Sequence, residues 1–127
     1  MCTRYITPDQ AAIERAWEIG RRNPPKLWAN EVFPRAAGPF LRLDTAGNLD
    51  LVVGPWGLIP SWSNTPTLKY ATQNCRSEEA GAKPTFRDAW RQGQRCIIPA
   101  LWFDEPCWET GKNVWWRFRR ADGLPWG

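Results

Sequence analysis

The pattern of apolar and polar positions first turns helical after a short apolar start: Ala12, Ile13, Ala16 and Trp17 recur at the spacing of one helical face. The entry Thr7-Pro8-Asp9-Gln10 supplies Thr7 as N-cap, Pro8 at the first helical position and Gln10 to complete a capping box. The helix is expected to run to about Ile19, with Gly20 as its stop before Asn23-Pro24-Pro25. From Trp28 to Val53 the texture changes to short apolar runs. Phe40-Leu41-Arg42-Leu43 and Leu49-Asp50-Leu51-Val52-Val53 flank Asp44-Thr45-Ala46-Gly47-Asn48, which predicts a β-hairpin. The stretch from Gly54 to Trp62 is too rich in Gly and Pro for a central strand and reads as an ordered loop carrying aromatic rings.

A second helix is predicted from about Pro84 to Gln92, with Phe86, Ala89 and Trp90 on one face and Gly93 closing it. Cys96-Ile97-Ile98-Pro99 reads as a short buried strand and Val114 to Arg119 as another. The connector between them holds Asp104, Glu105, Glu109 and the turn Thr110-Gly111-Lys112-Asn113. Ala121-Asp122-Gly123 then signals a hairpin whose return strand is nearly absent from the sequence. The pattern predicts one α+β domain over residues 1–127, with a curved or barrel-like, mostly antiparallel sheet, short covering helices and an incomplete C-terminal end.

Composition narrows the chemistry. The 127 residues suit a single core, no stretch nears the roughly 18 apolar residues of a membrane span, and the first fifteen residues lack a signal peptide's apolar region; a soluble, cytoplasmic protein is expected. There is no histidine, so this chain can offer neither a His-ligated metal nor a Cys-His or Ser-His couple. Cys2, Cys75, Cys96 and Cys107 form no closely spaced pair that could clamp zinc, so no metal or other cofactor is expected. Each is read as a reduced thiol, usually a buried small hydrophobe. Thirteen of the seventeen basic residues are Arg, beside ten Trp and a net charge of +4. Arg and Trp together form a nucleic-acid vocabulary, although composition alone favours tryptophans in the core and arginines on a solvated face.

Three places could carry chemistry. Loss of Met1 would leave Cys2 with an α-amine of pKa about 7.7–8.0 beside a thiol of about 8.5, a 1,2-aminothiol able to close a thiazolidine ring on an aldehyde. An incidental cysteine near a chain end is the plainer account. Asn74-Cys75-Arg76-Ser77-Glu78 offers an amide to orient an amine or oxyanion and a guanidinium for phosphate, and also describes an ordinary helix start. Glu105 and Glu109 lie among Trp102, Phe103 and Trp108, a setting that could raise a carboxyl pKa; both could equally be solvated loop carboxylates.

In their order these pieces resemble one family. Met1-Cys2-Thr3-Arg4-Tyr5 is similar to its Met-Cys-Gly-Arg-aromatic start, and Trp56-Gly57-Leu58-Ile59-Pro60-Ser61-Trp62 to its Trp-Gly-Leu-hydrophobic-Pro-x-Trp loop. Asn74 to Glu78 is similar to Asn-Ala-Arg-x-Glu, and Arg95 to Ala100 followed by Phe103-Asp104-Glu105 to Arg-Cys-x-x-Pro-Ala and Phe-Tyr-Glu. Each motif is common singly; four in register over nearly the whole chain are specific. The chain resembles the SRAP family (SOS response-associated peptidase), whose members crosslink to abasic sites in single-stranded DNA.

The resemblance implies that Cys2 is the nucleophile, that Asn74 positions its amine and that Glu105 shuttles protons. It further implies that Arg4 and Arg76 bind phosphates flanking the lesion, that Trp62 packs against bases or wedges the strand open, and that the same apparatus removes Met1. Thr3, Cys75, Leu101-Trp102 and Asp104 depart from the family's usual residues, and Glu109 stays open as the carboxylate. The family's later His-x-Arg-Met-Pro segment has no counterpart here. A non-catalytic module that binds single-stranded DNA through Arg and Trp is the alternative.

Overall fold

The structure, a computed structural model, describes residues 2–20 and 28–127. Met1 and Asn23-Pro24-Pro25, before which the helix is expected to stop, lie outside the described residues. Strand β1 (Arg4–Ile6) pairs antiparallel with β2 (Glu31–Val32) on one side and with β5 (Trp102–Cys107) on the other. β5 in turn pairs with β6 (Val114–Arg119), giving a four-stranded sheet of order β2-β1-β5-β6. β3 (Ala37–Leu43) and β4 (Leu49–Pro55) form a separate two-stranded sheet. With α1 (Gln10–Ala16), α2 (Ser77–Ala80) and α3 (Pro84–Arg91) this is the expected α+β class with antiparallel pairing and short helices. The two sheets do not close into a barrel among the described residues.

The hairpin forms where the pattern places it and extends further. Its register runs from Leu43↔Leu49 to Ala37↔Pro55, so Gly54 and Pro55, expected in the loop, complete β4. Gly38 lies opposite Gly54 and must stay small, because a Cβ there would collide with the Tyr5 hydroxyl and press on Val32. In the connecting turn Asp44 Oδ1 accepts from the backbone N–H groups of Ala46 and Asn48 at 2.9 and 2.8 Å, while Gly47 takes φ +82°, a left-handed conformation that favours glycine.

Three expectations along these elements need correction. Asp9, not Thr7, caps α1, accepting from the Ala12 N–H at 2.7 Å. Thr7 is buried, and its hydroxyl donates to the Ala29 carbonyl at 3.1 Å instead. The helix stops at Ala16 rather than Ile19, since Glu18 turns to φ +52°. Cys96 to Pro99 contributes only an isolated bridge, Ile97 to Leu41, because Pro99 has no N–H with which to continue a ladder.

The connector expected around Asp104 is in fact β5, an interior strand. Its acidic residues disguised it, and Asp104 is tolerated there because two guanidiniums compensate its charge. Asp104 is 2% exposed; Arg4 Nε donates to its Oδ2 at 2.6 Å, and Arg117 Nε to its Oδ1 at 3.0 Å. Beyond the last turn no return strand pairs with β6; Trp126 makes an isolated bridge to Ala100 instead.

The main core cluster comprises Tyr5, Val32, Trp56 and Ala100, with Tyr5 and Trp56 edge to face at 5.0 Å. A second joins Ile13 of α1 to Leu41 and Leu51 of the hairpin. Of the tryptophans, only Trp56 is buried among the described residues, while Trp62, Trp90, Trp108, Trp115 and Trp116 are exposed. The all-core reading of Trp does not hold. The thiols are free, as expected, but none is fully buried.

The Asp104 network gives a stability prediction. Arg117 first, then Arg4, hold the Asp104 carboxyl below its ordinary value by hydrogen bonding. Asp104→Asn is expected to lower unfolding free energy by roughly 1–2 kcal/mol near neutral pH, less than a fully buried pair would give because both guanidiniums remain solvated. A carboxyl with a lowered folded-state pKa stabilises above its unfolded pKa of about 3.9 and loses that contribution as pH falls through the folded value. Urea unfolding of the two proteins should therefore differ at pH 7 and converge as pH falls below the unfolded value and through the lowered folded one; a gap independent of pH would refute the assignment.

Candidate active site

β1, β5 and the segment entering α2 converge on one cleft. Side chains alternate along β5, so Phe103 and Glu105 share the face of the sheet that carries the core, while Asp104 points to the other. Cys2 lies just before β1 and packs against the main core cluster. Asn74, Cys75 and Arg76 precede α2, whose first residue is Ser77. Cys2, Asn74, Cys75, Arg76, Glu79, Lys83 and Glu105 line a cleft of about 380 Å³.

The contacts within it are specific. Asn74 Nδ2 donates to the Cys2 carbonyl oxygen at 2.9 Å, fixing the backbone of Cys2 across 72 residues of sequence. The expected contact was with the amine; the one present is with the carbonyl. Burial pushes the Cys2 thiol up to about 12, and its hydrogen bond to the Glu105 carboxylate and that group's negative charge push in the same direction. A thiol in this state is protonated at neutral pH, with a carboxylate placed to take its proton.

Cys2, Asn74, Arg76 and Glu105 thus come together, although 103 positions separate Cys2 from Glu105. Glu109 is exposed and does not line the Cys2 cleft; it borders a shallow depression with Trp108, Trp116 and Phe118 on the other side of Glu105. Of the aromatic residues expected around the carboxylate, Trp102 lies on the opposite face of β5. Trp116 takes its place as the cross-strand neighbour of Glu105.

Arg4 and Trp62 stand outside this cleft. Arg4 is engaged by Asp104 and, through Nη1, by Glu31 at 3.0 Å. Trp62 is 51% exposed, and its indole N–H donates to the Pro84 carbonyl at 3.3 Å, which anchors one edge of the ring at the start of α3. Lys83, a cleft residue, immediately precedes Pro84. Sequence reasoning missed Glu79 and Lys83. They form an ion pair at 2.5 Å that holds the Glu79 carboxyl below its ordinary value. The i,i+4 spacing was a readable signal. Among the described residues no group of three or more Cys, Asp or Glu could hold a metal ion, and no helix is long and apolar enough to cross a membrane.

Residues 1–126 match the family model SOS response associated peptidase (SRAP). The chain belongs to the SRAP family. Similar SRAP relatives include proteins named abasic site processing protein HMCES. The Xenopus tropicalis protein is 42% identical over 53 residues, covering 39% of this chain and 16% of its own length. The Gallus gallus protein is 30% identical over 104 residues, covering 68% of this chain and 31% of its own. A crystal structure of a protein from Bordetella bronchiseptica superposes with a TM-score of 0.80 at 36% identity, covering 98% of this chain and 60% of that one. The chain therefore spans less than a third of the length of these HMCES proteins and three-fifths of the solved structure. The four motifs of this SRAP chain fall on β1 and its approach, the loop after β4, the entry to α2, and the run from Arg95 into β5.

Proposed function

We propose that this SRAP chain captures abasic sites in single-stranded DNA covalently through Cys2, after removing Met1 by the same apparatus. The observation that carries the reading is the shared cleft, in which a 1,2-aminothiol residue meets a carboxylate, an anchoring amide and a guanidinium. The names of its relatives point to the same lesion. In the proposed reaction the Cys2 amine adds to the aldehyde carbon of the ring-opened deoxyribose, and loss of water gives an imine. The Cys2 sulfur then adds to the imine carbon, its proton passing through Glu105 to nitrogen, and a thiazolidine results. The net change is condensation with loss of one water.

The roles follow from chemistry at each atom. With its thiol protonated, Cys2 acts first through nitrogen, and sulfur closes the ring only with a base beside it. Asn74 holds the residue through its carbonyl, and Arg76 presents a cation for an adjoining phosphate. Arg4 would reach a phosphate only while still bound to Asp104, and Trp62 offers a ring face one residue from the cleft.

Intact-mass measurement after mixing the protein with a single-stranded oligodeoxynucleotide containing one abasic site tests this. The expected product is protein lacking Met1 plus oligonucleotide less one water. Salt-sensitive binding without any adduct, and without preference for the lesion, would replace this reading with the non-catalytic binding module. Asn74→Ala is expected to slow adduct formation about 10-fold, the equivalent of roughly 1.4 kcal/mol for one hydrogen bond. Unchanged single-turnover rates would remove its positioning role.

A further inference from the structure

The face of the four-stranded sheet that points away from the core carries a second arrangement. Cross-strand register places Ile6, Trp102 and Arg119 in one row, Arg4, Asp104 and Arg117 in the next, and Pro106 beside Trp115 in a third; directly opposed residues project to the same side. Along β6 this gives Trp115, Arg117 and Arg119 at alternate positions, all exposed. Trp115 is 50% exposed. The Arg117 guanidinium stands 5.0 Å from the centroid of the Trp102 ring and is tied to Asp104 through two of its nitrogens at 3.0 and 3.3 Å.

We propose that this outer face is a second contact surface for single-stranded DNA, on which Arg117 and Arg119 hold successive phosphates and Trp115 stacks a base. The proposal rests on the DNA reading above. Its charge suits the ligand: Arg4, Arg117 and Arg119 outnumber Asp104 and Glu31, and Asp104 is spent inside the face. Alternate strand residues are separated by about 6.8 Å, close to one nucleotide step of an extended strand. An exposed ring interleaved with guanidiniums is the physical pattern of sequence-tolerant single-strand binding. Asp104 acts as a positioning residue, since its carboxylate fixes Arg117 over Trp102 and joins it to Arg4 on β1, two residues from Cys2. A strand on this face could therefore continue around the start of β1 towards the cleft.

The test uses the 127-residue chain, an unmodified oligothymidylate of about 20 nucleotides for binding, and abasic oligonucleotides of about 5 and 20 nucleotides for capture. Trp115→Ala and Arg119→Ala are the first variants, because both side chains are exposed and neither supports the core; Arg117→Ala follows. Trp115→Ala should weaken oligothymidylate binding roughly 5- to 150-fold. Arg119→Ala should flatten the dependence of log K on log salt by about 0.7. The same variants should slow capture of the longer abasic strand and leave the shorter one unchanged. Parent-like affinity and salt slope in Trp115→Ala and Arg119→Ala would overturn the outer face while leaving capture at Cys2 intact. Loss of affinity in these variants, with no adduct formed by any protein, would uphold the face and overturn capture.

Discussion

Cys2→Ala is expected to abolish the stable adduct with an abasic single strand, a loss of at least about 10³-fold, or roughly 4 kcal/mol in the barrier. The ring needs sulfur. An alanine at this position keeps an amine that can form an imine, and an imine hydrolyses under denaturing conditions where a thiazolidine persists. Intact-mass spectra of the variant should show unshifted protein at all times, whereas reductive trapping with cyanoborohydride should still capture the imine once Met1 has been removed. The residue is only half-buried beside a cleft, so its truncation should change unfolding free energy by no more than about 1 kcal/mol. The loss then reports chemistry rather than folding. A stable adduct that survives Cys2→Ala would transfer the nucleophile to Cys75 or Lys83, the other nucleophilic side chains in the cleft, and end the aminothiol mechanism.

What the sequence could say about this site depended on distance. Asn74-Cys75-Arg76 and Phe103-Asp104-Glu105 were legible as short motifs, but 72 residues separate Asn74 from Cys2, and no local pattern encodes that the Asn74 amide reaches a carbonyl rather than an amine. Periodicity found the hairpin and α3, because Leu41 and Leu51 alternate with polar neighbours and Pro84 opens a helix closed by Gly93. It missed β5. Asp104, Glu105 and Pro106 run against local strand preference, and the strand exists here because Arg4 and Arg117 arrive from both neighbouring strands to neutralise Asp104. Thr7 failed as a cap for a related reason: tertiary bonds to the Ala29 and Asn30 carbonyls outcompeted the local one. The arginines and tryptophans resisted assignment because composition cannot say which face of a strand a residue occupies. Register decides that Trp115 and Arg119 look outward while Phe118 stacks on Phe103 at 5.2 Å.

Glu105→Gln should produce the second largest effect, and its pH profile is more diagnostic than its size. The carboxylate does two opposed things to Cys2. Its hydrogen bond and charge add to burial in raising the thiol to about 12, yet it is also the base placed to accept the proton as sulfur attacks. In the parent protein the rate should climb with pH as the α-amine loses its proton near 7.7–8.0, then level off. Glutamine removes the base, and capture at pH 7 should slow about 10²- to 10⁴-fold. It also removes the charge, so the thiol should fall from about 12 while burial, the largest cause, still holds it above its ordinary value of 9.0, and the variant should recover part of its rate at alkaline pH as free thiolate forms. The parent should show no such rise. Glu109→Gln, altered outside the cleft, should follow the parent curve. Parent-like capture by Glu105→Gln at pH 7, or a base-type loss in Glu109→Gln instead, would move the proton transfer to another carboxylate. A uniform slowing of Glu105→Gln without recovery at high pH would leave Glu105 a structural partner of Cys2 and not its base.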